Sequence, residues 1–198
     1  QIYLLDPYAE IELFPQGLSA ENIDSFIGGA DLVIDEFDDF AMKRLMRERA
    51  KAGHIPLLSG ADVGESAVID VERYDTEPDT QPFHGRQELA ALAKRAIGGL
   101  IAQLVGRENH NARMLQWPRH MGQPGGIVSF PQLGGMALLN GSLVAYCAYA
   151  IITGHPVTGT GAAISLEQLF LDPAYLEGPA RIERETALAD FRRIFGIA

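Results

Sequence analysis

Asp31-Leu-Val-Ile-Asp-Glu-Phe-Asp-Asp-Phe40 is the stretch from which the fold is predicted. Leu32, Val33 and Ile34 form an apolar run without alternation, which is typical of a strand covered on both faces. Four acids follow within five residues, and a helical pattern begins directly after them. A buried parallel strand that ends in carboxylates before a helix is the usual position of a ligand site in an α/β sheet.

The helix predicted after this acidic turn runs from Asp38 to Ala52. Because Asp is a favoured N-cap, the structural alternative is that Asp38 only caps the helix. The predicted inward stripe consists of Phe37, Ala41, Leu45 and Ala52. The charged side chains predicted to face solvent are Lys43, Arg44, Arg47, Glu48, Arg49 and Lys51.

Two further strands are predicted after this helix. Ile55–Leu58 is apolar and is followed by the small residues Ser59-Gly60, which would let a ligand approach the backbone closely. Val68–Tyr74 alternates, which predicts a strand with three polar side chains on one face: Asp70, Glu72 and Tyr74.

The segment between Ala30 and Gly64 resembles the ThiF/MoeB superfamily, the ubiquitin-activating-enzyme-like, ATP-dependent adenylyltransferases. Their pattern here is an apolar strand, Asp, two residues, Asp-Asn, a helix, and an apolar strand ending in small residues. The resemblance implies an α/β fold with a Rossmann-like, mainly parallel sheet, and binding of ATP with Mg²⁺. It also implies that Asp38 is the catalytic and magnesium-binding residue. The chain departs from the family at Asp39, where Asn is usual, which changes the nucleotide contact expected there.

A second part of the resemblance lies upstream, where Pro7–Leu13 matches a turn that leads into a strand in the family. Alternation independently predicts a strand over Ala9–Phe14. In the family the loop after this strand lies near the adenine, so the resemblance implies that Gly17 and Leu18 bind the nucleotide. An ordinary strand-to-helix turn is the alternative reading of these residues.

The Gly-rich phosphate loop of the family is missing from the sequence, since no GxGxxG motif occurs in its 198 residues. In the family this loop precedes the part matched here. We therefore expect residues 1–198 to form one ThiF-like domain, truncated at the N-terminus, that contains the second part of the nucleotide-binding domain. A helical insertion is predicted around residues 86–125.

Leu133–Thr153 lies inside a longer segment, His120–Leu166, that contains no Lys, Arg, Asp or Glu. The stretch is long enough to cross a bilayer. Its polar Asn140 and several glycines instead favour a helix buried on all sides, and no membrane partner is expected. It resembles the late central helix of the superfamily, which implies a homodimer formed through this half of the chain.

Composition excludes several classes of function. The chain has 16 Lys+Arg against 26 Asp+Glu and a net charge of −10, without a basic block, so nucleic acid is not an expected partner. The single cysteine, Cys147, excludes an internal disulfide and a Cys-rich zinc site, and it is compatible with a cytoplasmic location. Thioester-forming members of the superfamily carry their cysteine in the crossover region, and residues 75–126 contain none.

The function predicted from the residues and the resemblance together is ATP-dependent adenylation of a carboxylate on a small protein or small molecule. A ubiquitin-like C-terminus is one such substrate, and the reaction is expected to stop at the acyl-adenylate. Two alternatives remain open. One is an oxidoreductase that binds a dinucleotide such as NAD or FAD, and the other is a catalytically inactive ThiF-like scaffold.

Overall fold

The computed structural model describes residues 1–37, 39–63, 65–85, 133–159 and 161–183, with 185, 186 and 189. Its described helices are α1 (Ile2–Leu5), α2 (Ile23–Ile27), α3 (Phe40–Ala52), α4 (Gly134–Ile152), α5 (Leu166–Phe170) and α6 (Pro173–Glu177). The described strands are β1 (Val33–Asp35), β2 (Leu57–Val63), β3 (Ser66–Glu72) and β4 (Ala162–Ser165). The helical insertion predicted around residues 86–125 lies outside the described residues.

The four described strands form one sheet in the order β1-β2-β3-β4. β1 and β2 are parallel, with Asp35 opposite Ser59, and they are joined through α3, the kind of crossover that parallel strands need. Only two residues separate β2 from β3, and a connection this short can join only antiparallel strands. The β3–β4 pair is also antiparallel. The α/β, Rossmann-like fold is confirmed. The parallel arrangement holds for β1 and β2, and the described sheet is mixed beyond them.

The described helices cover the sheet from two sides. On one side α2 and α3 enclose a core that includes Ile23, Met46 and Leu57. On the other side α4 packs against β2 and β3, and its Val144 and Ile151 contact Leu58 and Ile69. Among the described residues, helix α4 lies over β2 and β3 and leaves one face of β1 uncovered, so the Ile34 side chain is 46% exposed. The prediction that β1 is covered on both faces is therefore wrong for the described part of the chain.

The inward face of α3 differs from the predicted one. Met46 and Ala50 are fully buried, and two of the side chains predicted to face solvent, Lys43 and Arg47, are buried with them. Ala41 and Ala52 are exposed. The prediction was wrong because it assigned every basic residue to the solvent side, whereas carboxylates on β1 and β3 pair with two of them inside the protein.

Helix α4 confirms the helix predicted from the charge-free stretch but not its burial on all sides. Met136, Asn140 and Val144 are buried against the sheet, and the opposite face is exposed in the described part of the chain. That exposed face includes Leu138, Tyr146, Tyr149 and Ile152. Helix α4 is long and apolar enough to cross a membrane, but the core helices of soluble proteins can have the same length and composition.

The strand predicted over Ala9–Phe14 is not present. These residues follow α1 without backbone pairing to the described sheet and end in a turn at Pro15-Gln16. Alternation of apolar and polar residues shows that a segment can be amphipathic, but a strand also needs a neighbour for its backbone hydrogen bonds. No such neighbour lies beside this segment within the described residues.

Candidate functional site

Asp35 is a fully buried side chain at the carboxyl end of β1. Its Oδ1 atom accepts hydrogen bonds from the Phe37 backbone N–H at 3.0 Å and from Lys43 Nζ at 3.2 Å. Its Oδ2 atom forms an ion pair with Arg47. Because three donors bind this fully buried carboxylate, its observed role is to shape the turn that follows β1.

The acids after Asp35 have different environments. Asp39 is exposed and caps α3, since its Oδ1 accepts a hydrogen bond from the Met42 N–H at 2.8 Å. Glu36 Oε1 accepts a hydrogen bond from the Gly60 N–H at 3.1 Å, so it connects the residue after β1 to the middle of β2. Burial raises the pKa of Glu36. Asp38, the predicted catalytic and metal-binding residue, lies outside the described residues.

Gly17 and Leu18, the residues predicted at the nucleotide, lie in the turn before α2. Gly17 has a left-handed backbone with φ of 79°, and its carbonyl oxygen accepts a hydrogen bond from Asn22 Nδ2 at 3.0 Å. Leu18 packs against the core formed by α2, α3 and β1. The Leu18 side chain therefore has a packing role, and nucleotide contact by these two residues stays a prediction.

The middle of β2 is in close contact with α4 at Gly60. A Cβ atom on Gly60 would lie 2.7 Å from Asn140 Nδ2 and 2.9 Å from Val144 Cγ2. The absence of a side chain at Gly60 therefore lets α4 approach the backbone, in addition to any role at a ligand. β2 also continues to Val63, past the end predicted for it, because it pairs with β3 along its whole length.

A buried polar network lies behind the acidic turn, and Arg47 is at its centre. Arg47 is fully buried on α3 and forms ion pairs with Asp35 and with Glu72, its Nε atom lying 2.7 Å from Glu72 Oε2. Its Nη2 atom is 3.9 Å from Asp70 Oδ2. Arg47 thus joins β1 to β3 beneath α3, using the planar fork that allows one side chain to reach several carboxylates.

Lys43 lies one helical turn before Arg47 and also contacts Asp35. Its Nζ atom is 3.2 Å from Asp35 Oδ1 and 3.4 Å from Ser59 Oγ. Since Asp35 and Ser59 are the last register partners of β1 and β2, Lys43 contacts both strands where their parallel pairing stops. Burial lowers the pKa of Lys43, and the neighbouring carboxylate of Asp35 opposes this shift.

The network extends into the segment that follows β3. Glu72 Oε1 accepts hydrogen bonds from Tyr74 Oη at 2.9 Å and from the Phe83 backbone N–H at 2.6 Å. The Phe83 ring lies over the Arg47 guanidinium, whose central carbon is 4.1 Å from the ring centroid. His84 Nε2 is 3.2 Å from Asp70 Oδ1. The alternation prediction that placed Asp70, Glu72 and Tyr74 on one face is consistent with these contacts.

Phe83 and His84 both have left-handed backbone conformations, with φ of 55° and 54°. Such a conformation costs a non-glycine residue on the order of 1–3 kcal/mol and persists only where surrounding contacts hold it. Here the contacts are those with Glu72, Arg47 and Asp70. The turn at Pro82–Gly85 is therefore fixed by the same network that holds Asp35.

Charge in the network is distributed over three carboxylates and two basic side chains, all buried, with His84 at the edge. Burial raises the pKa of Glu72, and Arg47 acts against that shift. Burial alone would lower the pKa of Arg47, but the carboxylates around it outweigh burial and raise it. Arg47 therefore stays cationic. Removing one partner of such a buried pair typically costs about 3–5 kcal/mol.

Sequence reasoning found the acidic turn and the polar face of β3 but missed Lys43 and Arg47 as buried residues. One available signal was the excess of acids on predicted strands: Asp35 on β1, and Asp70 with Glu72 on β3. Buried carboxylates need cationic or hydrogen-bonding partners. The intervening helix is the element that could have supplied them.

Comparison with known proteins identifies the fold as that of a characterised family. The ThiF family model matches residues 2–171, which includes the acidic turn, the whole described sheet and α4. The chain belongs to the ThiF family. This confirms the resemblance to the ThiF/MoeB superfamily stated from the sequence.

This ThiF-family chain is also similar to an uncharacterized protein of Mycobacterium tuberculosis, with 30% identity over 159 residues. The match covers 77% of the chain but only 22% of that protein. The chain therefore spans about a fifth of the length of the relative it matches.

Proposed function

We propose that the protein of which this ThiF domain is part adenylates a carboxylate with ATP, releases pyrophosphate and stops at the acyl-adenylate. The observation that supports this most strongly is the family match over residues 2–171, which contains the acidic turn at the carboxyl end of β1. The substrate class is a carboxylate on a small protein, such as a ubiquitin-like C-terminus, or on a small molecule.

The described surroundings of position 38 fit this proposal. Asp35 is occupied by buried partners, Glu36 binds the Gly60 N–H and Asp39 caps α3, so three of the four acids in the turn have structural roles. Asp38 is the residue that the family pattern assigns to magnesium. No group of three or more His, Cys, Asp or Glu side chains suited to a metal occurs among the described residues. Mg²⁺ on a nucleotide needs no such group, because phosphate oxygens and water supply most of its ligands.

When bound with ATP, Mg²⁺ would neutralise negative charge on the phosphates. The chain's own contribution is geometric, since Glu36 and Lys43 each join the end of β1 to the middle of β2, where the parallel pairing of the two strands stops. Parallel strands commonly bind ligands at the carboxyl end of such a pairing. Gly17, Leu18 and Asp39 are proposed nucleotide contacts. The direct test is ATP–pyrophosphate exchange in the full-length protein with candidate carboxylates. Absence of exchange with every carboxylate, together with no measurable ATP binding, would refute the proposal.

The reaction is expected to stop at the adenylate because the described chain offers no activated thiol. Cys147 is half-buried on α4, packs against the core beside β2 and β3, and has its pKa raised by burial. A thiol needs an electropositive, accessible setting to become a nucleophilic thiolate near neutral pH.

We therefore expect Cys147 to react slowly with iodoacetamide in the folded protein, with a rate that still increases above the ordinary pKa of a thiol, because burial raises the pKa of Cys147. The same chain in denaturant serves as the control and should react at the rate of a free cysteine. With ATP and a carboxylate substrate, no adduct sensitive to dithiothreitol should form. An adduct that disappears in Cys147→Ser would show that the reaction proceeds to a thioester.

We also propose that the protein is a cytoplasmic homodimer formed through the exposed face of α4, without a membrane or nucleic-acid partner. The support is that α4 presents Leu138, Tyr146, Tyr149 and Ile152 away from the sheet, and large apolar patches mark interaction surfaces.

Light scattering of the full-length protein at tens of micromolar should give twice the chain mass, because a standard-size interface persists at such concentrations. Tyr146→Glu should reduce that mass to one chain while leaving the melting temperature close to the wild-type value, since Tyr146 is 68% exposed. A single-chain mass for the wild type would remove the dimer, and solubility only in detergent would instead favour a membrane-bound α4.

A dinucleotide-binding oxidoreductase is the second candidate. Its only support is that the sheet type is shared with dinucleotide-binding domains, and purified full-length protein that carries flavin or nicotinamide absorbance would favour it. An inactive scaffold would keep the buried network while lacking pyrophosphate exchange.

A further inference from the structure

Arg47 contacts two parts of the chain that are far apart in sequence. One is the end of β1, where the Arg47 guanidinium pairs with Asp35. The other is the end of β3 and the segment after it: the guanidinium pairs with Glu72, the last residue of β3, and lies against the Phe83 ring. Glu72 in turn binds the Phe83 N–H. Arg47 is fully buried and so holds both parts in fixed positions.

The contact with β1 reaches the acidic turn directly. Arg47 binds Oδ2 of Asp35, and Oδ1 of the same carboxylate accepts the Phe37 N–H at 3.0 Å. The orientation of Asp35 therefore sets the backbone at Phe37, the residue immediately before position 38. An Arg is suited to this role because its planar fork can bind Asp35 and Glu72 at once, whereas a Lys offers one point charge.

We propose that Arg47 is a positioning residue for nucleotide binding: through Asp35 it fixes the acidic turn against the Pro82–Gly85 turn, and this order lets the turn bind Mg-ATP. The part that concerns Mg-ATP rests on the proposed function. The left-handed Phe83 and His84, held by the same buried carboxylates, show that the network enforces conformations the chain would not adopt by itself.

The test compares Arg47→Lys with Arg44→Lys in the full-length protein. Arg44 lies on the same helix but is exposed and pairs only with Glu48 in the described structure, so its variant is the matched control. Arg47→Lys should raise the KM for Mg-ATP in pyrophosphate exchange by about tenfold or more, the loss expected for a charge-assisted hydrogen bond. The KM for the carboxylate substrate should change less than about twofold.

A second readout does not depend on catalysis. Hydrogen–deuterium exchange of peptides that contain the Phe37 amide should become at least about tenfold faster in Arg47→Lys and unchanged in Arg44→Lys, because the Phe37 N–H is released when Asp35 reorients. If Arg47→Lys fails to fold, Glu72→Gln replaces it. Gln keeps a carbonyl oxygen for Tyr74 and Phe83 but loses the charge that holds Arg47.

The outcomes are distinct. Unchanged Phe37 exchange in the folded variant overturns the proposal, as does a parallel rise in both KM values with a lower melting temperature, which would indicate a general structural role. If the wild type shows neither pyrophosphate exchange nor ATP binding, the proposed function fails and with it the nucleotide part of this inference. Faster Phe37 exchange would still establish that Arg47 orders the turn.

Discussion

In the full-length protein, Asp38→Ala should abolish substrate-dependent ATP–pyrophosphate exchange. The family pattern assigns this position to magnesium, and a carboxylate is the hard oxygen ligand that Mg²⁺ prefers. The neighbouring acids cannot replace it easily, because Asp35 is occupied by Lys43 and Arg47, and Asp39 caps α3. ATP binding should be measured beside pyrophosphate exchange. Lost exchange with normal ATP binding would indicate a defect in the adenylation step, and loss of both would indicate weaker nucleotide binding.

Asp31→Ala is the matched control for this variant. Asp31 is an exposed acid at the opposite, amino end of β1, and its removal should leave pyrophosphate exchange at the wild-type rate. The melting temperature of Asp38→Ala should stay close to that of the wild type, because the cap of α3 is Asp39. Exchange at the wild-type rate in Asp38→Ala would show that the magnesium assignment is wrong.

Gly161→Ala should strongly destabilise the folded protein. Gly161 has a left-handed backbone with φ of 72°, and an added Cβ atom would overlap the Ile69 carbonyl oxygen on β3. Backbone strain costs about 1–3 kcal/mol, and steric overlap with a backbone atom adds roughly 1–3 kcal/mol. We expect a loss of about 3 kcal/mol or more in the free energy of unfolding, measured by chemical denaturation.

Gly159→Ala tests whether that loss is specific to Gly161. An added Cβ atom at Gly159 would also meet another group, but that group is the carboxylate of Glu77, the end of a flexible and exposed side chain. Glu77 can rotate away, so Gly159→Ala should cost well under 1 kcal/mol, the usual range for surface changes. If both variants lose the same free energy of unfolding, the segment before β4 does not tolerate a side chain at either glycine. The explanation by overlap of the Gly161 Cβ with the β3 backbone would then be wrong.

The short apolar run at β1, the helix after it and the charge-free helix α4 were predicted correctly from consecutive residues. These features depend on local periodicity and on breaks such as Gly53 and Thr153-Gly154, which end α3 and α4. The strand predicted over Ala9–Phe14 failed because a strand requires a partner that local alternation does not reveal. The same limit applies to β2, whose length was set by pairing with β3.

The sequence by itself determined the family, the α/β class and the position of the acidic turn, since each depends on motif spacing within a short stretch of chain. Only the tertiary structure decided that Lys43 and Arg47 face the interior and that Asp39, in place of Asp38, caps α3. A basic side chain is normally exposed because desolvating its charge is costly. Arg47 is buried because Asp35 and Glu72, from two different strands, compensate that cost, and their proximity exists only once the sheet has formed.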